Sequence, residues 1–121
     1  ANLTSIAEPM LKTITEKDVQ SAIQQYHELK AAKPDGYDFS EEELNSLANK
    51  LFQMKRLKEA VEICKFNVEL HPQSFKAYDS LAEAYMINGD KELAVKNFEK
   101  SLELNRFNWN AVKMLKKYKM K

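Results

Sequence analysis

Ser74–Arg106 reads SFKAYDSLAEAYMINGDKELAVKNFEKSLELNR, and the spacing within it decides the fold. Tyr78, Leu81, Ala82 and Tyr85 recur at helical intervals. Asn88-Gly89-Asp90 then breaks the pattern, and Ala94, Val95, Phe98, Ser101 and Leu102 resume it. Gly89 stands where a helix ends on a positive φ, and Asp90 is placed to cap the next helix. The same pattern recurs upstream at a fixed interval: Leu44, Tyr78 and Val112 are each 34 apart, as are Leu47, Leu81 and Leu115. Ala48 pairs with Ala82, Leu51 with Tyr85, Ala60 with Ala94, Cys64 with Phe98, Val68 with Leu102 and Leu70 with Leu104. Small residues are expected where two helix backbones approach closely, and large ones where they fill the gaps between helices.

A helix-turn-helix unit repeating at this interval resembles the tetratricopeptide repeat. The residue types agree: a large residue, Leu, a small residue and Tyr on the first helix, then Ala60 or Ala94, Phe98 and a closing Pro72 on the second. The resemblance implies an all-α fold, a right-handed α-solenoid of antiparallel helix pairs with about seven helices. The expected division of the single domain, residues 1–121, is a degenerate repeat at 1–33, a loop at 34–40, repeats at 41–74 and 75–108, and a capping helix at 109–121.

Taken outward from these repeats, Leu3 to about Thr15 is expected to be helical on Leu3, Ile6, Met10, Leu11 and Ile14, with Pro9 starting or kinking it. Asp18 should cap a helix to about Ala32, with Val19, Ala22, Ile23, Tyr26 and Leu29 inward. Ser40 before Glu41, Glu42 and Glu43 reads as a capping box, with acids at the positive end of the helix dipole. Leu44 to Met54 and Leu57 to His71 form the next pair. Lys55-Arg56 replaces the turn glycine, so that corner is expected to be tighter or less regular than the one at Gly89. Trp109 to Lys119 is a lone final helix whose Lys113, Lys116, Lys117 and Lys119 give a polar outer face.

Composition agrees with a globular all-α chain: 44% hydrophobic, 31% charged, two glycines, three prolines and a net charge of +1. One cysteine excludes an internal disulfide, and no apolar run is long enough to cross a bilayer. The first residue is Ala1, not methionine, which suggests a processed product or an excised piece.

Catalytic signatures are missing. His27 and His71 have no partner at ligand spacing, Cys64 sits in the aromatic slot of its repeat, and neither GxSxG nor SxxK occurs. Two isolated glycines make no phosphate-binding loop, and no cofactor or metal is expected. Asn2-Leu3-Thr4 fits the short glycosylation pattern. From Arg106 onward there are six basic residues and no acid, with Phe107, Trp109 and Tyr118 among them. On a nearly neutral chain this is read as cations at a helix C-terminus, with no nucleic-acid partner.

In the tetratricopeptide family the first helices line a concave groove that holds an extended peptide. Carried over by position, the groove residues here are Glu42, Asn45, Asn49, Phe52 and Gln53, then Lys76, Asp79, Glu83 and Met86, then Asn110, Lys113 and Lys117. The sharper set is Asn45, Asn49, Phe52, Asp79, Glu83, Met86, Lys113 and Lys117, with asparagines for a ligand backbone and Phe52 and Met86 for apolar contact. The chaperone-tail clamp of that family fits at Asn49 alone. Asn45, Ser80, Asn110 and Met114 stand where its Lys, Asn, Lys and Arg belong, so a chaperone tail is not the expected ligand.

A second resemblance covers most of the chain. The segments ELNSL, KxNVELxP, AYDSLAEAY and GDKELA are similar to the tail of bacterial beta-lactamase-like and esterase-like serine hydrolases. It implies a non-catalytic accessory region outside the cytoplasm, in the periplasm, packing on a neighbouring hydrolase domain or weakly on a second copy of itself. Phe66, Phe75 and Trp109 are the exposed apolar residues expected to do so. Both resemblances lead to a binding role without turnover: a partner protein or peptide in one, a fused hydrolase domain in the other.

Overall fold

The computed structural model describes residues 3–119. Among them are seven helices: α1 (Ala7–Glu16), α2 (Val19–Ala32), α3 (Glu41–Gln53), α4 (Leu57–Leu70), α5 (Phe75–Ile87), α6 (Lys91–Leu104) and α7 (Trp109–Lys119). The fold is an all-α helical repeat, as the periodicity predicts. Asn2 of the glycosylation pattern and Lys121 of the basic end lie outside the described residues. The chain divides into two compact units, residues 1–63 and 64–121. None of the described helices is long and apolar enough to cross a membrane.

In the first unit α1 packs on α2 and α3. Ile6, Met10, Ile14, Ala22, Tyr26, Leu44, Leu47, Ala48 and Leu51 are buried, which follows the helical stripes. Asp18 caps α2 as expected, its Oδ1 accepting from the Ser21 N–H at 2.7 Å. Hydrogen bonding from the Ser21 side chain, and then from its backbone N–H, holds the Asp18 carboxyl below its ordinary pKa.

The N-terminal segment differs from expectation. The helix begins at Ala7, not Leu3, and Leu3 is exposed. Pro9 lies in the first turn, where its missing N–H is not needed. Before it, Thr4–Ser5 forms a short strand, β1, parallel to β2 (Tyr37–Asp38), and the Ile6 N–H donates to Asp38 O at 3.0 Å. The segment expected to be an open loop is thus tied to the start of the chain. Tyr26 adds a second tie, its hydroxyl donating to Phe39 O at 3.3 Å and its ring meeting Phe39 edge-on. Asp38 also accepts from the Ser40 N–H at 3.0 Å, a bond that lowers its carboxyl pKa. Ser40 occupies the N-cap of α3, but its side chain makes no cap bond. The expected capping box is therefore corrected: the N–H that Glu43 would have satisfied is already taken by Asp38.

In the second unit Ala82, Ala94, Phe98 and Ala111 form a buried cluster, with Tyr85, Met86, Leu102, Met114 and Leu115 packed against it. Ala82 and Ala94 are small because α5 and α6 meet there. Full burial of Phe98 contributes about 2 kcal/mol, and its neighbours leave it 0% exposed. Ser74 caps α5, accepting from the Ala77 N–H at 3.3 Å. Asp90 holds the N-cap position of α6 without capping it; its Oδ2 accepts from Asn88 Nδ2 at 2.9 Å instead.

The corner after α3 corrects another expectation. Lys55 takes the left-handed φ of 66°, and Gly89, its equivalent in the next repeat, takes 89°. Lys55 N–H donates to Phe52 O and Arg56 N–H to Leu51 O, at 3.0 and 2.9 Å. Gly89 and Asp90 repeat both bonds on Met86 and Tyr85, at 3.1 and 2.8 Å. The two corners are equally regular, because the pattern satisfies the last carbonyls of each helix whatever residue stands at the turn.

Candidate functional site

The eight candidate residues occupy three register positions of the repeat: Asn45, Asp79 and Lys113; Asn49, Glu83 and Lys117; Phe52 and Met86. In the first unit, Asn45, Asn49 and Phe52 lie along α3, with Asn49 exposed and the other two half-buried. Each is three or four residues from the next, so they share one face of that helix.

In the second unit, Asp79, Glu83 and Met86 lie along α5, and Lys113 and Lys117 along α7. The first pair is joined to α7 by asparagines. Asn110 Nδ2 donates to Asp79 Oδ2 at 2.9 Å and to Glu83 Oε1 at 3.2 Å. Asn108 Nδ2 donates to Asp79 Oδ1 at 3.3 Å and to Ser101 Oγ at 2.7 Å, and Ser101 in turn donates to Phe75 O at 2.9 Å. Asn108 Oδ1 also accepts from the Ala111 N–H at 3.3 Å, capping α7. One buried amide thus fixes α5, α6 and α7 together. Both oxygens of Asp79 and the amide of Asn110 are engaged within the protein. Asp79 therefore holds Asn108 and Asn110 in place.

Glu83 is exposed yet crowded by protein, and this raises its carboxyl pKa. Desolvation is the main cause, followed by repulsion from Asp79; the Asn110 hydrogen bond and the charge of Lys113 oppose them. Glu83, Lys113 and Lys117 are exposed, and Met86 is half-buried against the Phe98 cluster.

Cys64 is buried, and desolvation first, then the charge of Glu83, pushes its thiol up to about 12, so it carries no thiolate at neutral pH. Among the described residues no group of three His, Cys, Asp or Glu side chains is placed to hold a metal ion. Phe66, expected at the surface, is 4% exposed, a correction that follows from its place on the inner face of α4. Phe75 is half-buried, whereas Trp109 is 72% exposed. Sequence reasoning missed Asn108. Its signal was the period itself: Ser40, Ser74 and Asn108 stand 34 apart at three helix N-caps.

Residues 75–108 match the family model of the tetratricopeptide repeat. No curated protein matches the chain. Among solved structures, the chain is similar to the first tetratricopeptide domain of Spaghetti (RPAP3) bound to HSP90 peptide SRMEEVD. The identity is 25%, the coverage 95% of this chain and 88% of that one, and the TM-score 0.63. The corresponding domain of human RPAP3 matches at 25% identity, 95% and 87% coverage and a TM-score of 0.64. The N-terminal domain of stress-induced protein-1 from C. elegans shares the fold, at 22% identity, 96% and 98% coverage and a TM-score of 0.59.

Proposed function

We propose that this chain is a non-catalytic interaction module of the tetratricopeptide type, which holds an extended peptide or protein segment along its first helices. The observation that carries the reading is the likeness over 95% of the chain to a domain bound to a peptide. The side chains are of a suitable kind. In the first unit Asn45 and Asn49 can bond a peptide backbone beside Phe52. In the second, Lys113, Lys117 and Glu83 offer charge beside Met86, with Asp79 holding the asparagines in place.

The HSP90 peptide in the RPAP3 structure ends in aspartate. Here the clamp positions hold Asn45, Ser80, Asn110 and Met114, and Asn110 is already engaged with Asp79 and Glu83. We therefore propose an internal segment with mixed charge, not a terminal carboxylate, as the ligand. The test is selection from a library of random peptides, with and without free C-termini. Single replacements Asn49→Ala and Lys113→Ala, both exposed, should each weaken a selected peptide about tenfold, or about 1.4 kcal/mol, with the helical spectrum unchanged. No enrichment, or binding indifferent to both replacements, would sink the proposal.

A second reading is an accessory region that packs on a serine hydrolase domain, or on a second copy, with no separate ligand. Exposed Trp109 and Phe107, at 72% and 65%, favour it. Nothing in the matched family model or structures points to a hydrolase. A monomer by sedimentation at all concentrations would remove the dimeric form of this reading.

A further inference from the structure

The corner between α5 and α6 carries chemistry of its own. Asn88 is followed there by Gly89, and no other asparagine in the sequence precedes a glycine. A main-chain nitrogen can attack the side-chain amide of the residue before it most readily where no Cβ crowds it, and asparagine is heat-labile in proteins. Gly89 meets that condition: it is exposed, and open space surrounds the place where a Cβ would stand. In the reaction the Gly89 nitrogen bonds to Asn88 Cγ as the Cγ–Nδ2 bond breaks, and Nδ2 leaves as ammonia with the proton of Gly89. Solvent water then opens the cyclic imide. Opening at Cγ leaves aspartate. Opening at the Asn88 main-chain carbonyl leaves isoaspartate, whose backbone runs through Cβ and Cγ and is one carbon longer.

The folded corner holds this reaction back. With the Asn88 ψ at −4°, the Gly89 nitrogen eclipses the Asn88 nitrogen and not Cβ, so it stands away from the carbon it would attack. Ring closure requires rotation about that bond, and three hydrogen bonds resist it. Gly89 N–H donates to Met86 O at 3.1 Å, Asp90 N–H to Tyr85 O at 2.8 Å, and Asn88 Nδ2 to Asp90 Oδ2 at 2.9 Å. Rotation therefore awaits a local opening of the corner.

Neither product can rebuild the corner. Aspartate loses the donor to Asp90 and sets two carboxylates together at the C-cap of α5, the negative end of its dipole. Isoaspartate inserts its extra carbon ahead of both N–H groups that satisfy Met86 and Tyr85. The corner after α3 has no such chemistry, because Met54 and Lys55 stand at the equivalent positions.

We propose that Asn88 is a site of spontaneous deamidation, gated by opening of the α5–α6 corner, and that its conversion to aspartate or isoaspartate loosens that corner.

The full chain is incubated at mildly alkaline pH, which deprotonates more of the attacking nitrogen. The tryptic peptide of residues 77–91 is then followed by mass and by separation of the two acid products. A synthetic peptide of the same residues gives the ungated rate. The chain should convert at Asn88 about tenfold to a hundredfold more slowly than the peptide, since two or three hydrogen bonds must open first. Asp90→Ala removes one of them and should speed the chain about fivefold relative to the same change in the peptide. The isolated isoaspartate form should melt below the parent chain, with Asn88→Asp, which is the aspartate product itself, between them. No amide loss at Asn88 even with Asp90→Ala, or equal loss at the other asparagines, would overturn the proposal. So would a chain rate equal to the peptide's, indifference to Asp90→Ala, or an isoaspartate form that melts like the parent.

Discussion

The corners after α3 and α5 are the same turn built from different residues. Both send two N–H groups back to the last carbonyls of a helix, and both need a left-handed residue, at φ 66° and 89°. Glycine adopts that conformation without penalty, whereas lysine bears a Cβ that crowds the following carbonyl, at a cost of about 1–2 kcal/mol. What the repeat preserves is therefore the hydrogen-bond pattern. The residue at each position determines how much strain or satisfaction accompanies it. The helix crossings, the caps and the corners can each be tested by comparing positions 34 apart.

The largest effect belongs to the crossings. Ala60 and Ala94 are 0% and 1% exposed, so neither site has room for a ring. Ala94→Phe should cost about 3 kcal/mol, near the upper end of overpacking effects. Ala60→Phe should cost a similar amount. Thermal denaturation checks this, and an unchanged melting temperature for Ala94→Phe would contradict the close approach of α5 and α6.

The caps come next, and here the three equivalent positions should differ. Asn108→Ala strips the buried Ser101 and half-buried Asp79 of a donor and the Ala111 N–H of its acceptor, for about 2 kcal/mol. Ser74→Ala loses one cap bond, about 1 kcal/mol. Ser40→Ala should change almost nothing, since its side chain makes no cap bond. Denaturant midpoints for the three variants would sharpen the comparison; a large loss at Ser40 would break it.

These caps also mark what was legible in the sequence. Hydrophobic periodicity placed the helices because each buries a stripe of its own residues, as Ile6, Met10 and Ile14 or Leu44, Leu47 and Leu51 do. The candidate face was legible as register positions on α3, α5 and α7. It was not legible that Asn108 and Asn110 would occupy Asp79, because those bonds join residues 29 and 31 apart through side chains alone. The β1–β2 pair was hidden for a similar reason. It is a two-residue backbone match between Thr4 and Tyr37, and Ser5 and Asp38, with no pattern to announce it. Ser40 looked like a capping box because its local motif was right; Asp38, two residues earlier, took its N–H.

At the corners the signs should oppose. Gly89→Ala forces a Cβ onto a φ of 89°, and nothing lies within 4 Å of that atom, so the loss of about 1 kcal/mol is backbone strain alone. Lys55→Gly should gain up to about 1 kcal/mol by releasing the same strain. Denaturant unfolding of the two variants decides the matter. Equal losses at both would mean that the Lys55 side chain contributes packing worth more than the strain.

The smallest effect concerns charge on the second unit's surface. Crowding raises the Glu83 carboxyl above its ordinary pKa of 4.5, so the folded state favours its protonated form. The stability it contributes is fully present below the unfolded value, and is lost as pH rises through that value and then the higher folded one. Asn49, at the equivalent position of the preceding repeat, carries no charge and no such dependence. Glu83→Gln keeps an acceptor for Asn110 while removing the ionisation, so it should make the second unit resemble the first. Wild type should lose stability relative to this variant as pH rises through the ordinary 4.5 and the higher folded value, by a small amount because Glu83 is exposed and solvent screens its charge. A difference of the opposite sign would show that attraction to Lys113 outweighs desolvation and the neighbouring Asp79.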